Sequence, residues 1–302
     1  MTVTEGARPR VRARQPKLDF SQSPKYWVLG DPQSTHTLNI LHYGIPAGER
    51  FFVDGVRAAL PYITDAQLLA DARGFIGQES THARMHEKAA ERLDLFSIPQ
   101  IRAAVEAADR RREQLNRRVK SLPEPLRRQA VLLWLSQVVL AEHVTAVLAD
   151  IALDDDKTNS DAVDPQMGEL LRWHAVEELE HRSVPFDVYR HLGGTYAMRV
   201  ALALPAFLFM PFVLFGITSQ LMQADPDFGH PFSLRQHLEA ARARRVPSIV
   251  DVAVRLPGYL LPNHHPSKVG DDRRAAAYLA SNPPSLANDR APAKRSRAAA
   301  SN

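Results

Sequence analysis

The stretch FIGQESTHARMHEKAAERL, residues 75–93, places Glu79, His82 and His86 at offsets of zero, three and seven. Residues at those spacings share one face of an α-helix. The stretch is therefore either a helix face bearing three metal-capable side chains or a solvated face that carries them by composition. Surface helices are rich in Glu, and a single Glu-x-x-His reads as the solvated face. A second pair shifts the balance, because Glu178-Leu-Glu-His181 repeats the spacing on another helical segment.

Two more glutamates stand in apolar settings. Glu49 precedes Phe51, Phe52 and Val53, and Glu142 lies in WLSQVVLAEHVTAVLA, where its neighbours other than His143 are apolar or small. Burying an unpartnered carboxylate costs on the order of several kcal/mol. A metal ion is a partner that several carboxylates can share. The chain order is Glu, Glu-x-x-His, Glu, Glu-x-x-His, with Glu49 and Glu142 93 residues apart and Glu79 and Glu178 99 apart. That near-repeat suits two helix pairs related by a pseudo-twofold, each giving one carboxylate and one Glu-x-x-His to a central pair of ions.

Working outward, the helices follow from breakers and caps. A short helix is expected from Pro46 to about Leu60, preceded by an irregular stretch over 20–46. A second runs from Thr64 or Asp65 to Leu93, a charged one over 98–122, and a long apolar one from Glu124 to Leu153. A further helix, opened by Pro165, is expected to reach Gly193-Gly194. Strand alternation is almost absent, so the chain reads as all-α. Residues 200–222, VALALPAFLFMPFVLFGITSQLM, carry no charge and are long enough to span a bilayer, although Pro205 and Pro211 would kink them. A buried core or dimer helix, or a hairpin dipping into one leaflet, are the other readings of that segment.

Composition narrows the chemistry. The 302 residues include no cysteine, which removes disulfides, thiolate metal sites and a catalytic Cys. Any metal must use His, Asp or Glu, which suits Fe, Mn or Zn. The net charge of +4 is concentrated at the ends: residues 1–17 contribute +4 and 281–302 contribute +3, leaving 18–280 at −3. Those ends are rich in Pro, Ala, Arg and Ser and read as disordered, solvated tails, with no specific nucleic-acid binding expected. No apolar h-region follows the first residues, so no secretory signal is expected. The expected organisation is a basic tail over 1–19, a di-metal helical domain over 20–195, an apolar helix with its extension over 196–265, and a second tail over 266–302.

Over roughly 45–195 the chain resembles the ferritin-like di-metal carboxylate superfamily, whose fold is a four-helix bundle. The charged helix would then be the crossover between helix pairs, followed by the C-terminal apolar helical segment. FIGQESTHARMHEK is similar to the signature of a bacterial family catalogued as predicted metal-dependent hydrolases. HAVEELEH, which places His174 four residues before Glu178, resembles the arylamine N-oxygenases, in which a third His joins the last Glu-x-x-His. The resemblance implies Glu49, Glu79, His82, Glu142, His174, Glu178 and His181 as metal ligands. His86 lies on the face of Glu79 and His82 and is read as a ligand or a supporting donor. Glu177 could replace Glu178, which is preferred because it gives both halves one spacing. No catalytic residue beyond the ligands is expected. His143 points about 100° away from Glu142, and His36, His42, His191, His230, His237, His264 and His265 fit no pattern.

The leading functional expectation is an O₂-activating oxygenase with two metal ions, iron first, with manganese or a mixed Mn/Fe pair as alternatives. Its substrate would be hydrophobic or aromatic, and it would need an electron donor. The alternatives are a metal-dependent hydrolase using a di-metal-activated water, and a non-catalytic metal-binding bundle. A homodimer, a cytoplasmic location and contact with the inner membrane through 197–222 complete the expectations.

Overall fold

The computed structural model describes residues 11–154, 158, 160–201 and 203–281. Among these the secondary structure is helical, with one isolated bridge, Val28 to Val163, and no strand. The all-α reading holds. Of the tails expected over 1–19 and 266–302, residues 1–10 and 282–302 lie outside the described residues.

Helix α1 spans Pro32–Ala59, which corrects the expected start at Pro46. Asp31 caps the helix by accepting from Ser34 N, and Pro32 supplies a preset first turn. Pro46 therefore sits inside the helix. It removes only the hydrogen bond that the residue 42 carbonyl would accept, and packing on both sides carries the helix through. Helix α2, Ala66–Arg92, is capped by Asp65. Helix α3, Pro99–Ser121, is the charged segment, and it buries only Ile101 and Val119. Helix α4 spans Glu124–Ala152 and α5 spans Pro165–His181, capped by Asp164. The expected single helix to residue 192 is broken at Arg182–Ser183, and Pro185 opens α6, Val184–His191.

Helices α1, α2, α5 and α4 form a closed ring: α1 packs on α2 and α4, and α5 packs on the same two. Phe52, Val56, Phe75, Trp134, Leu135, Val138 and Tyr189 fill one end of this core. Gly55 makes the α1–α4 approach possible, because a Cβ there would stand 2.9 Å from Trp134 Cδ1. Helix α3 lies outside the ring and is tied to α1 by Arg50–Asp109 and Arg112–Asp54 ion pairs.

Two stretches expected within tails are ordered. Residues 11–14 lie on α2, where Gly74 leaves room for Val11: a Cβ there would fall 2.1 Å from the Val11 carbonyl oxygen. At the other end, α11, Asp272–Ser281, follows α7 (Tyr196–Ala201), α8 (Ala203–Ala224), α9 (Leu234–Arg242) and α10 (Ile249–Arg255). It packs Ala275 against Ala175, Val176 and Leu179 of α5. Apolar contact and ion pairs such as Arg14–Glu177 and Arg274–Asp150, invisible to composition, account for both.

Candidate metal centre

Halfway along the ring, side chains from four helices meet. Glu49 comes from α1, Glu79 and His82 from α2, Glu142 from α4, and His174, Glu178 and His181 from α5. All seven are buried. Their spacing on each helix explains the convergence. Offsets of three and seven keep 79 and 82, and 174, 178 and 181, on the inward faces of α2 and α5.

The donor atoms form three overlapping groups, each within 4.8 Å: Glu49, His82 and His174; Glu79, Glu142 and His181; and Glu79, His82 and Glu178. The first two groups lie at opposite ends. The third links them, with Glu79 and Glu178 between. His82 Nδ1 is 3.4 Å from Glu79 Oε1 and 3.8 Å from Glu49 Oε1. His181 Nε2 is 3.1 Å from Glu79 Oε1 and 3.5 Å from Glu142 Oε2. His174 Nε2 is 2.8 Å from Glu178 Oε1 and 3.6 Å from Glu49 Oε1.

These residues fit a pair of cations. Both carboxylate oxygens of Glu49, Glu79 and Glu142 are buried without a hydrogen-bond partner, and so are Glu178 Oε2, His82 Nδ1 and His181 Nε2. Buried polar atoms in a folded protein are almost always satisfied. A cluster of orphaned oxygens and imidazole nitrogens is a donor set for a hard or borderline ion. The electrostatics agree in direction. Burial, reinforced by Glu79, pushes the Glu49 carboxyl well above its usual range, and burial beside Glu178 takes Glu142 up to about 8. Burial would also raise Glu178, but His181 and His174 outweigh it and hold that carboxylate down.

Each imidazole is aimed by a partner on its far nitrogen, the arrangement that fixes tautomer and ring plane in metal sites. His82 Nε2 donates to Glu177 Oε2 at 3.0 Å. His181 Nδ1 donates to Gln78 Oε1 at 3.0 Å. His174 Nδ1 meets His86 Nε2 at 2.6 Å, and His86 Nδ1 meets His42 Nδ1 at 2.9 Å. His86 and Glu177 thus stand behind the cage. His143 faces elsewhere, with Nε2 3.1 Å from the Leu256 carbonyl.

Three supporting residues escaped the sequence reading. His42 lies seven residues before Glu49 on the same helix face, a signal hidden by starting the helix at Pro46. Gln78 precedes Glu79 and carries no distinguishing pattern. Arg14 belongs to a stretch that reads as a tail, yet it donates to Glu177 Oε1 at 3.1 Å and to Glu180 Oε1 at 2.6 Å. Gln78 Nε2 donates to Glu180 Oε2 at 2.9 Å, which joins the two orienting groups into one network. Phe75 and Trp173 close the sides, edge-on to His181 and His82 at 4.8 and 4.9 Å between centroids.

A family described as predicted metal-dependent hydrolase matches residues 12–270, a span that takes in every element of the cage. No curated protein and no solved structure matches the chain.

Proposed function

The chain belongs to the predicted metal-dependent hydrolase family, and from that membership we propose that its cage holds two divalent ions and hydrolyses an ester or phosphate. The observation that carries the reading is the set of unpartnered donor atoms from Glu49, Glu79, His82, Glu142, Glu178 and His181. Glu49, His82 and His174 would hold one ion and Glu142 and His181 the other, with Glu79 and Glu178 shared. Bound there, two ions would lower the pKa of a water and polarise the substrate's acyl or phosphoryl oxygen.

The protein's own share is positional. Glu177, Gln78 and His86 hold the three imidazoles to one ring plane and one tautomer. Phe75 and Trp173 keep bulk water from the flanks. Chromogenic esters and phosphate esters offered to metal-loaded protein should turn over, and chelation should stop the reaction. Failure of the whole panel with two ions bound defeats the hydrolase reading.

A second reading is favoured by one feature: every candidate ligand is borne on a helix, four carboxylates to three imidazoles, in the order Glu, Glu-x-x-His, Glu, Glu-x-x-His. That arrangement supports a ferritin-like architecture, where such cages hold di-iron or di-manganese pairs. The corresponding chemistry is O₂ activation with iron and an external electron donor. Oxygen uptake by the anaerobically reduced iron form, without ester or phosphate turnover, decides for it.

A further inference from the structure

Helix α8 leaves its apolar side chains in the open. From Leu204 to Gly216 it reads LPAFLFMPFVLFG, without one polar side chain. Leu208 is 61% exposed, Phe209 65% and Phe212 75%, and Leu204 and Val213 are also more than half exposed. At 100° per residue, these positions with Pro205, Ala206 and Gly216 cover more than half of the helix circumference. Only a narrow stripe faces the body, where Phe207 and Met210 pack with Val147, Ile151, Leu256 and Val252. An exposed apolar patch of this kind marks an interaction site.

The flanking elements also carry exposed apolar and charged side chains. Helix α10, which supplies Val252 to the same cluster, exposes Val250 and Val254. Helix α9 lies beside the other half, since Phe215 stacks on Phe232 at 4.6 Å and meets His237 at 5.5 Å. It exposes Leu234 and Leu238. Residues 234–255 carry five arginines against Glu239 and Asp251, and Arg242 and Arg244 are exposed.

We propose that the open face of α8, with α9 and α10, inserts into one leaflet of a bilayer containing anionic lipid. The C-terminal turns of α8 are committed to the protein, with Thr218, Leu221 and Met222 buried. The free part offers about 20 Å of helix against a hydrocarbon core of about 30 Å, so the helix lies in the interface and does not cross. An interface between two copies buries one self-complementary face of a helix, which leaves much of this circumference uncovered. A leaflet covers it, and the arginines meet the phosphate headgroups. This inference is independent of the metal reading.

Vesicle co-sedimentation of the full-length protein tests it, with phosphatidylcholine vesicles that contain about a quarter phosphatidylglycerol. Wild type should pellet and stay bound in about 1 M NaCl, where charge attraction is screened within about 3 Å. Phe209→Ser with Phe212→Ser should lower partitioning about tenfold or more, with helicity and metal content unchanged. Arg242→Glu with Arg244→Glu should weaken binding to the anionic vesicles by about tenfold. The proposal fails if wild type stays in the supernatant, if salt releases it, or if the double Ser variant binds like wild type. It also fails if light scattering shows a dimer that the Ser variant splits while neither form binds vesicles. In that outcome a second copy covers the face.

Discussion

Gln78 Oε1 lies 3.0 Å from His181 Nδ1, and this bond turns His181 Nε2 toward Glu79 Oε1, 3.1 Å away. The helix that supplies a carboxylate to the cage thus also aims an imidazole from α5. Gln78→Leu keeps the volume and removes the acceptor. Metal affinity should fall by about 10–100-fold while circular dichroism stays unchanged. A competition titration against a chromophoric chelator reads the affinity, and an unchanged constant would show that His181 is oriented by packing alone.

Glu142 tests the two-ion arrangement. Both its oxygens lack hydrogen-bond partners, so Glu142→Gln takes no such bond away from the metal-free protein. The metal-free melting temperature should stay within a few degrees of wild type. Bound metal should drop from two ions per chain toward one, and the stabilisation gained on metal loading should shrink with it. Elemental analysis and paired melting curves measure both quantities, and full loading of the variant refutes the assignment.

His42 is the far end of the imidazole chain through His86 to His174. His42→Ala removes a fully buried ring and should destabilise the fold by about 2–4 kcal/mol. His42→Asn keeps a polar group there. Weaker metal binding in both variants would assign His42 to the support of His174. Loss in the Ala variant alone would indicate packing.

Arg14 ties residues 11–14 to Glu177 and Glu180. In Arg14→Ala two clustered carboxylates lose their cation. Limited proteolysis should then cut within residues 11–19 several-fold faster, and metal should dissociate faster because Glu177 no longer holds His82 firmly. Equal rates for variant and wild type would leave Arg14 a surface residue in effect.

Asp225 predicts an acid limb. It accepts from Lys25 Nζ at 2.8 Å and Tyr26 Oη at 2.8 Å, and pairs with His36 Nε2 at 2.8 Å. Burial would raise its pKa, but these bonds and Asp227 N outweigh it and hold the carboxyl down to about 2 from an ordinary 3.8. A depressed acid stabilises the fold fully above its unfolded pKa and loses that contribution as pH falls through the folded one. Wild type should therefore lose stability between about pH 4 and pH 2. Asp225→Asn should be less stable at neutral pH by about 1–3 kcal/mol and show a flatter limb, measured by chemical denaturation at each pH.

Residue spacing by itself determined the helical class and the grouping of Glu79 with His82 and of Glu178 with His181, because contacts within one helix depend only on its fixed pitch; His174 joined them through the resemblance of HAVEELEH. The apolar neighbours of Glu49 and Glu142 marked them as buried, since carboxylates do not enter a core unpartnered. Which far nitrogen meets which partner was decided by tertiary structure alone. Gln78 with His181 and Glu177 with His82 pair across different helices, and no periodicity encodes the rotation of one helix against another. The same holds for Arg14, whose stretch looks solvated by composition but is held by two carboxylates that only the fold brings within its reach. The start of α1 was missed because Pro46 is a strong local breaker, and contacts on both sides of the helix override it. For α8 the apolar length was legible in residues 204–216, but only the fold showed that Thr218, Leu221 and Met222 near its end are buried while Leu208, Phe209 and Phe212 stay bare, because tertiary contacts cover one part of a helix and leave another open.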